Sequence, residues 1–281
     1  MDALIKPAEL PGLAEQTVII DARTGLDALT GESALNRYES LHLEGALFVD
    51  LETELADIKE NLADGGRHPL PEPKAFARLL GDLGIGPETS VVVYDDKNGG
   101  SAAARFWWML RATGHKTVRV IDGGMDAAAK AGFPLSREVS QQKNTSPYPF
   151  DKWLLPTVTI EQLEQMAADE TFLVIDVREA ERYRGETEPY DPVAGHIPGA
   201  VNIPYTGNLD PNGFFLDPEL LKEKYLKAIG GRPTEKVVVH CGSGVTVCHT
   251  LLAMDVAGLG IPILYPGSFS EWCRNNKPIK P

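Results

Sequence analysis

The sequence predicts an α/β protein built as two tandem domains, each a parallel sheet flanked by helices. Three observations predict this. Short β-branched runs recur along the chain, bounded by polar residues or glycine, as buried parallel strands are. Helical patterns lie between them, and alternating strands and helices imply a parallel sheet covered on both faces. The same blocks then occur twice in the same order.

Taken in order, Val18–Ile20 is the first strand and Val91–Tyr94 the next. Between them, Pro73 to Leu80 carries apolar residues at helical spacing and reaches Gly81 and Gly84. In the second half, Thr159 followed by Gln162 predicts a capping box. Leu173–Ile175 and Val237–Val239 are strands. Leu220 to Leu226 is a helix running into Gly230-Gly231 as its C-cap, and Val247–Val256 is a further helix.

The repeat is direct. Thr17-Val18-Ile19-Ile20-Asp21-Ala22-Arg23 matches Phe172-Leu173-Val174-Ile175-Asp176-Val177-Arg178, and His42-Leu43-Glu44-Gly45-Ala46 matches His196-Ile197-Pro198-Gly199-Ala200. Ser90 to Asp95 matches Lys236 to Cys241. The offsets are 155, 154 and 146 residues, a tandem pair and not a solenoid. The stretch from Pro134 to Pro156 is rich in Pro, Ser, Gln, Lys and Asn, without any period. The expected domains are therefore residues 1–140 and 157–281, joined by a linker over 141–156.

Composition narrows the class. The 281 residues are 43% apolar and 24% charged, ordinary for a soluble globular protein. The formal net charge of −13 argues against a nucleic-acid partner. It also requires specific arginines to supply a local positive field for any anionic substrate. No stretch approaches a membrane span, and the first residues lack the pattern of a signal peptide. Three cysteines make no disulfide framework, so a reducing cytoplasm is the expected compartment.

The chemistry concentrates in Val237-Val238-Val239-His240-Cys241-Gly242-Ser243-Gly244-Val245-Thr246-Val247. A cysteine sits at the carboxyl end of a buried strand, where open α/β sheets bind ligands. Gly242 and Gly244 allow successive N–H groups to curl around Cys241. The following helix start adds its positive dipole end, and both effects favour the nucleophilic thiolate. Ser243 and Thr246 add hydroxyls for an anion. The plain alternative is a small buried hydrophobe, as most cysteines after a valine strand are. A phosphatase-type Cys-x5-Arg loop needs arginine at 247, where this chain has Val247.

The loop Cys241 to Thr246 resembles that of the tandem-domain rhodanese and 3-mercaptopyruvate sulfurtransferase family. So do Asp176-Val177-Arg178, Arg182-Tyr183-Arg184-Gly185, Gly195 to Ala200, and Gly267-Ser268-Phe269-Ser270-Glu271-Trp272. The resemblance covers essentially the whole chain. It implies two rhodanese-like domains and a persulfide shuttle: Cys241 takes sulfur from a donor and passes it to a thiophilic acceptor, cyanide, a thiol or a thioredoxin-like protein. It implies no metal, no organic cofactor and no membrane or nucleic-acid partner. It also implies a silent first domain, and Asp95 indeed stands in the place of Cys241. Thiosulfate is the rival donor, although rhodaneses that use it carry basic residues inside the loop. A non-catalytic rhodanese module is the rival of another class, and such modules typically lose the cysteine.

The resemblance assigns further residues. Arg182 stands at the substrate arginine, able to grip a carboxylate with two hydrogen bonds. Gly242, Gly244, Val245 and Thr246 line the donor, and Tyr190 replaces a second arginine in Glu188-Pro189-Tyr190-Asp191. His68 matches a histidine that reaches the catalytic loop, and with Ser243 and Glu52 it is expected to form a Ser–His–acid relay. Arg67 adds local positive charge. His196 and its repeat His42 are expected to be structural, each holding the turn that follows it. Asp176 and Asp21 are expected to orient turns at strand ends. Cys248 is expected to be buried and Cys273 exposed.

Overall fold

The computed structural model describes residues 2–27, 30–141 and 146–281. Residues 142–145 of the expected linker lie outside the described residues. The chain divides into two compact units. One contains residues 1–56, 71–154 and 212–214; the other contains 57–70, 155–211 and 215–281.

The first unit holds β1 (Leu4–Ile5), β2 (Val18–Asp21), α1 (Ala34–Ser40), β3 (His42–Leu43), β4 (Leu47–Phe48), α2 (Pro73–Asp82), β5 (Val91–Tyr94), α3 (Ala103–Ala112), β6 (Val118–Ile121), α4 (Gly124–Lys130) and β7 (Leu135–Ser136). Its main sheet runs β1-β6-β5-β2-β4, parallel throughout, with β3 and β7 forming a separate antiparallel pair. The strand β5 is buried along its whole length, which is why it reads as continuous Val-Val-Val-Tyr.

The second unit holds α5 (Ile160–Ala168), β8 (Leu173–Asp176), α6 (Ala180–Tyr183), β9 (Ala200–Asn202), α7 (Pro218–Ile229), β10 (Val237–His240), α8 (Val247–Val256), β11 (Ile263–Leu264) and α9 (Ser268–Arg274). Its sheet, β11-β10-β8-β9, is again all parallel. Thr159 and Gln162 form the expected capping box on α5. Gly230 terminates α7 in the left-handed conformation, with φ of 59°.

The duplication is physical. Asp21 pairs with Tyr94 across β2 and β5 as Asp176 pairs with His240 across β8 and β10. The residues after Tyr94 and His240 are Asp95 and Cys241, so the two occupy one structural position. The parallel bridge Thr157–Leu264 stands where β1 meets β6, and the antiparallel bridge His196–Lys280 where β3 meets β7. Both helices that follow the loop, α3 and α8, are buried nearly all round and apolar to match.

Two divisions differ from expectation: residues 212–214 belong to the first unit, and a longer segment moves the other way. Residues 57–70 belong to the second unit, although the sequence places them in the middle of the first domain. Gly65 and Gly66 have φ of 85° and 81°, which lets this backbone lie against α9. A side chain at Gly66 would stand 2.4 Å from the Gly267 carbonyl. The Gly65 N–H donates to Glu271 at 3.2 Å, and Asn275 donates to the Ala63 carbonyl at 2.8 Å.

Candidate active site

Cys241 directly follows β10 and is 3% exposed. Its Sγ accepts the Gly244 N–H at 3.2 Å. That bond needs the loop to turn back within three residues, and Gly244 does so at φ of 82°. A Cβ there would meet the Pro266 carbonyl oxygen at 2.2 Å, so both conformation and space require glycine. The loop is held from the other side by α9, whose Phe269 and Ser270 N–H groups donate to the Cys241 and Gly242 carbonyls at 3.0 and 2.9 Å.

Ser268 completes the setting and was not singled out as a site residue from the sequence. Its Oγ accepts the Cys241 N–H at 3.2 Å and lies 3.9 Å from Sγ. The hydroxyl proton has two acceptors, the Tyr265 carbonyl at 3.0 Å and Sγ; the shorter contact holds it in this structure. Ser268 has φ of 54° and is fully buried, a strained backbone that persists only where its surroundings impose it. The one signal in the sequence was the segment Gly267 to Trp272, which carried no stated role.

Beside the loop lies a cluster of charged residues. A Cβ placed on Gly242 would stand 3.1 Å from Nη2 of Arg182 and 3.2 Å from Nη2 of Arg67. Arg182 is ion-paired with Glu188, to which Nε and Nη2 donate at 3.2 and 2.8 Å. Asp191 has a fully buried side chain, and its Oδ1 accepts from Arg67 and Arg274, each at 2.6 Å. Tyr190 is exposed, and both guanidiniums face its ring, Arg182 at 5.0 Å and Arg67 at 5.3 Å from the centroid.

Beneath this layer, Arg178 grips Asp176 through Nε and Nη2 and also donates to Glu188 and the Gly195 carbonyl. Arg23 and Asp21 repeat the arrangement in the first unit, with the Leu41 carbonyl in place of Gly195. Burial pushes the Asp176 carboxyl up, but its charged neighbours outweigh this and hold it below the usual range. Burial and Arg178 push the His240 imidazole down, so it is neutral at pH 7 and Arg178 is the partner that holds Asp176.

The remaining expected residues fall as follows. Ser243 is buried, and its hydroxyl makes no hydrogen bond among the described residues. Val245 is buried, and Thr246 is the N-cap of α8 without a side-chain capping bond. His68 lies in the 57–70 segment of the second unit, and Glu52 is an exposed residue of the first unit. His196 stacks on Tyr183 and bonds its carbonyl through Nδ1 at 2.8 Å, as His42 does with Tyr38 at 2.6 Å. Each therefore ties back to the preceding helix and not forward to its turn, because stacking on the helix tyrosine points the ring that way. Cys248 is buried as expected. Cys273, expected to be exposed, is buried on α9; burial, with Asp191 nearby, pushes its thiol up to about 11.

In the first unit the equivalent position holds a different device. The Asp95 carboxylate accepts the N–H groups of Lys97, Gly99, Ser101 and Ala103 at 2.8–3.2 Å. Its loop closes on its own anion and offers no nucleophile.

These two units place the chain in the rhodanese family: the family model for the rhodanese-like domain matches residues 6–131 and 159–275. A Pseudomonas aeruginosa protein named probable 3-mercaptopyruvate sulfurtransferase is 41% identical over 240 residues, 84% of this chain and 82% of that one. A rat thiosulfate sulfurtransferase is 35% identical over 252 residues, 87% of this chain and 82% of that one. The solved 3-mercaptopyruvate sulfurtransferase from Leishmania major superposes with a TM-score of 0.82 at 28% identity, covering 96% of this chain and 74% of that one. Among the described residues, no helix is long and apolar enough to cross a membrane.

Proposed function

We propose that the protein is a sulfurtransferase that moves sulfur from 3-mercaptopyruvate to a thiophilic acceptor through a persulfide on Cys241. The observation that carries this reading is the Gly244 N–H directed at Sγ, with two guanidiniums at Gly242 beside it. The reaction has two displacements. The Cys241 thiolate attacks the donor sulfur, the donor C–S bond breaks, and its electron pair goes to the methylene carbon. The proton of the donor thiol balances that carbon, which becomes the methyl group of pyruvate, and Cys241 is left as a persulfide. An acceptor nucleophile, cyanide or a thiolate, small or on a thioredoxin-like protein, then takes the outer sulfur and regenerates the Cys241 thiolate.

In this reading Gly244 stabilises the Cys241 thiolate that attacks the donor and the thiolate that leaves when the acceptor takes the outer sulfur. Arg182 receives the donor carboxylate with the Nη1 that Glu188 leaves uncovered. Ser243 and His68 handle the proton as the donor sulfur departs, Ser243 with its unengaged hydroxyl. Val245 and Thr246 form the wall towards α8. A cytoplasmic setting suits a mechanism that needs Cys241 reduced between turnovers.

Thiosulfate is disfavoured because positions 242–246 carry no charge to meet a compact dianion. The test is steady-state kinetics with both donors and with cyanide or a thiol as acceptor. A higher kcat/KM for mercaptopyruvate is expected, together with a 32 Da mass increase on donor incubation, about one sulfur atom, that Cys241→Ser abolishes. A parent enzyme faster with thiosulfate would overturn the donor assignment; a Cys241→Ser variant that still turned over would overturn the mechanism.

A further inference from the structure

We infer that Arg67 is a second donor-binding residue, supplying the anion grip from the 57–70 segment while Tyr190 holds its guanidinium in place. This rests on the reading of Cys241 as the sulfur carrier.

Three observations lead there. First, Nη2 of Arg67 approaches the Gly242 position as closely as Nη2 of Arg182 does, 3.2 against 3.1 Å. Second, the two guanidiniums differ in what remains free. Arg182 spends Nε and Nη2 on Glu188, and its Nη1 has only a long ion pair, 3.9 Å, to the half-buried Glu179. Arg67 spends Nη1 on Asp191, and its Nη2 makes no hydrogen bond among the described residues. The donor atoms available to a carboxylate are thus one from each arginine, side by side over the loop. Third, Tyr190 presents its ring to both guanidiniums at 5.0 and 5.3 Å, which fixes their planes without consuming a hydrogen-bond donor.

Charge balance agrees. Around Cys241, Arg67, Arg178, Arg182 and Arg274 face Asp176, Glu188 and Asp191. Four guanidiniums against three buried carboxylates leave one positive charge among the buried groups, countered only at long range, 3.9 Å, by the half-buried Glu179 beside Arg182, in a chain that is otherwise strongly negative. Removing Arg67 cancels it. Asp191 stays paired through Arg274, so the substitution does not leave a buried carboxylate alone.

The test uses the full chain. Arg67→Gln is expected to raise KM for 3-mercaptopyruvate roughly tenfold or more, the range for losing one charge-assisted bond, with a smaller change in kcat. Arg67→Lys, which keeps the charge but not the fork, is expected to fall between. The double variant R67Q/Y190R restores a second guanidinium on the opposite side and is expected to recover most of the lost KM. An independent readout is alkylation of Cys241 by iodoacetate against neutral iodoacetamide. R67Q should lower the iodoacetate rate several-fold and leave the iodoacetamide rate near parental, which also reports that the loop is intact. Parental KM and a parental iodoacetate-to-iodoacetamide ratio in R67Q would overturn the inference. If the parent does not turn over mercaptopyruvate but R67Q still lowers that ratio, the anion site stands and the donor assignment falls.

Discussion

Replacing Gly244 by alanine tests the loop where its geometry is tightest. Gly244 sits at φ of 82°, and a left-handed L-residue costs roughly 1–2 kcal/mol. The added Cβ would lie 2.2 Å from the Pro266 carbonyl oxygen, a backbone atom that cannot rotate aside. Real Cβ contacts stay beyond 3.0 Å, so the loop must withdraw by about 0.8 Å. The Gly244 N–H to Sγ distance, now 3.2 Å, then stretches to about 4.0 Å and the bond is largely lost. A hydrogen bond to a charged acceptor contributes about 1.5–3 kcal/mol. At 1.36 kcal/mol per decade, the rate of persulfide formation should fall about ten- to a hundredfold. The assay is single-turnover persulfide formation, followed by intact mass, beside iodoacetamide alkylation of Cys241 and a thermal melt. Both rates should fall together, with a loss of about 2 kcal/mol in stability. A Gly244→Ala variant that folds, alkylates at the parental rate and forms persulfide normally would refute the role assigned to this N–H.

Three further outcomes are expected. Asp95→Ala strands four N–H groups of the first unit's loop, so its melting temperature should drop by several degrees while persulfide yield per folded chain stays parental; lost sulfur loading at low temperature would contradict a silent first unit. Ser268→Ala leaves the buried Cys241 N–H without its acceptor and should slow persulfide formation about tenfold, and Ser268→Gly, which relaxes the backbone but also lacks the hydroxyl, should be equally slow; a fast glycine variant would mean that strain, not the hydroxyl, was the issue. Burial pushes the Lys224 ammonium down from 10.5 to about 8, so between those values the unfolded chain binds more protons and this group's contribution to stability rises with pH; the urea midpoint of the parent should gain on that of Lys224→Met between pH 8 and 10, and a constant gap would refute the shift.

Much of this protein was legible in the chain because the relevant physics is local. Buried parallel strands must be short, apolar and β-branched, so β2, β5, β8 and β10 were visible, and with them the duplication that aligns Asp95 with Cys241. The Thr159 capping box and the Gly230 stop are likewise satisfied within a few residues. The loop from Cys241 to Thr246 was readable because a tight turn around a thiolate demands glycine at fixed spacing. Tertiary structure alone decided what converges on that loop. Nothing local in Gly65-Gly66-Arg67 tells it to leave the first unit; two positive-φ glycines lying against α9 and an ion pair with Asp191, 124 positions away, do. The same holds for Ser268, whose contact with Cys241 spans 27 residues, and for Tyr190, whose ring meets the guanidinium of the distant Arg67 as well as that of nearby Arg182. Sequence displays the residues whose environment their neighbours create. Charges that balance one another across a packed site acquire their roles only when the chain has closed around them.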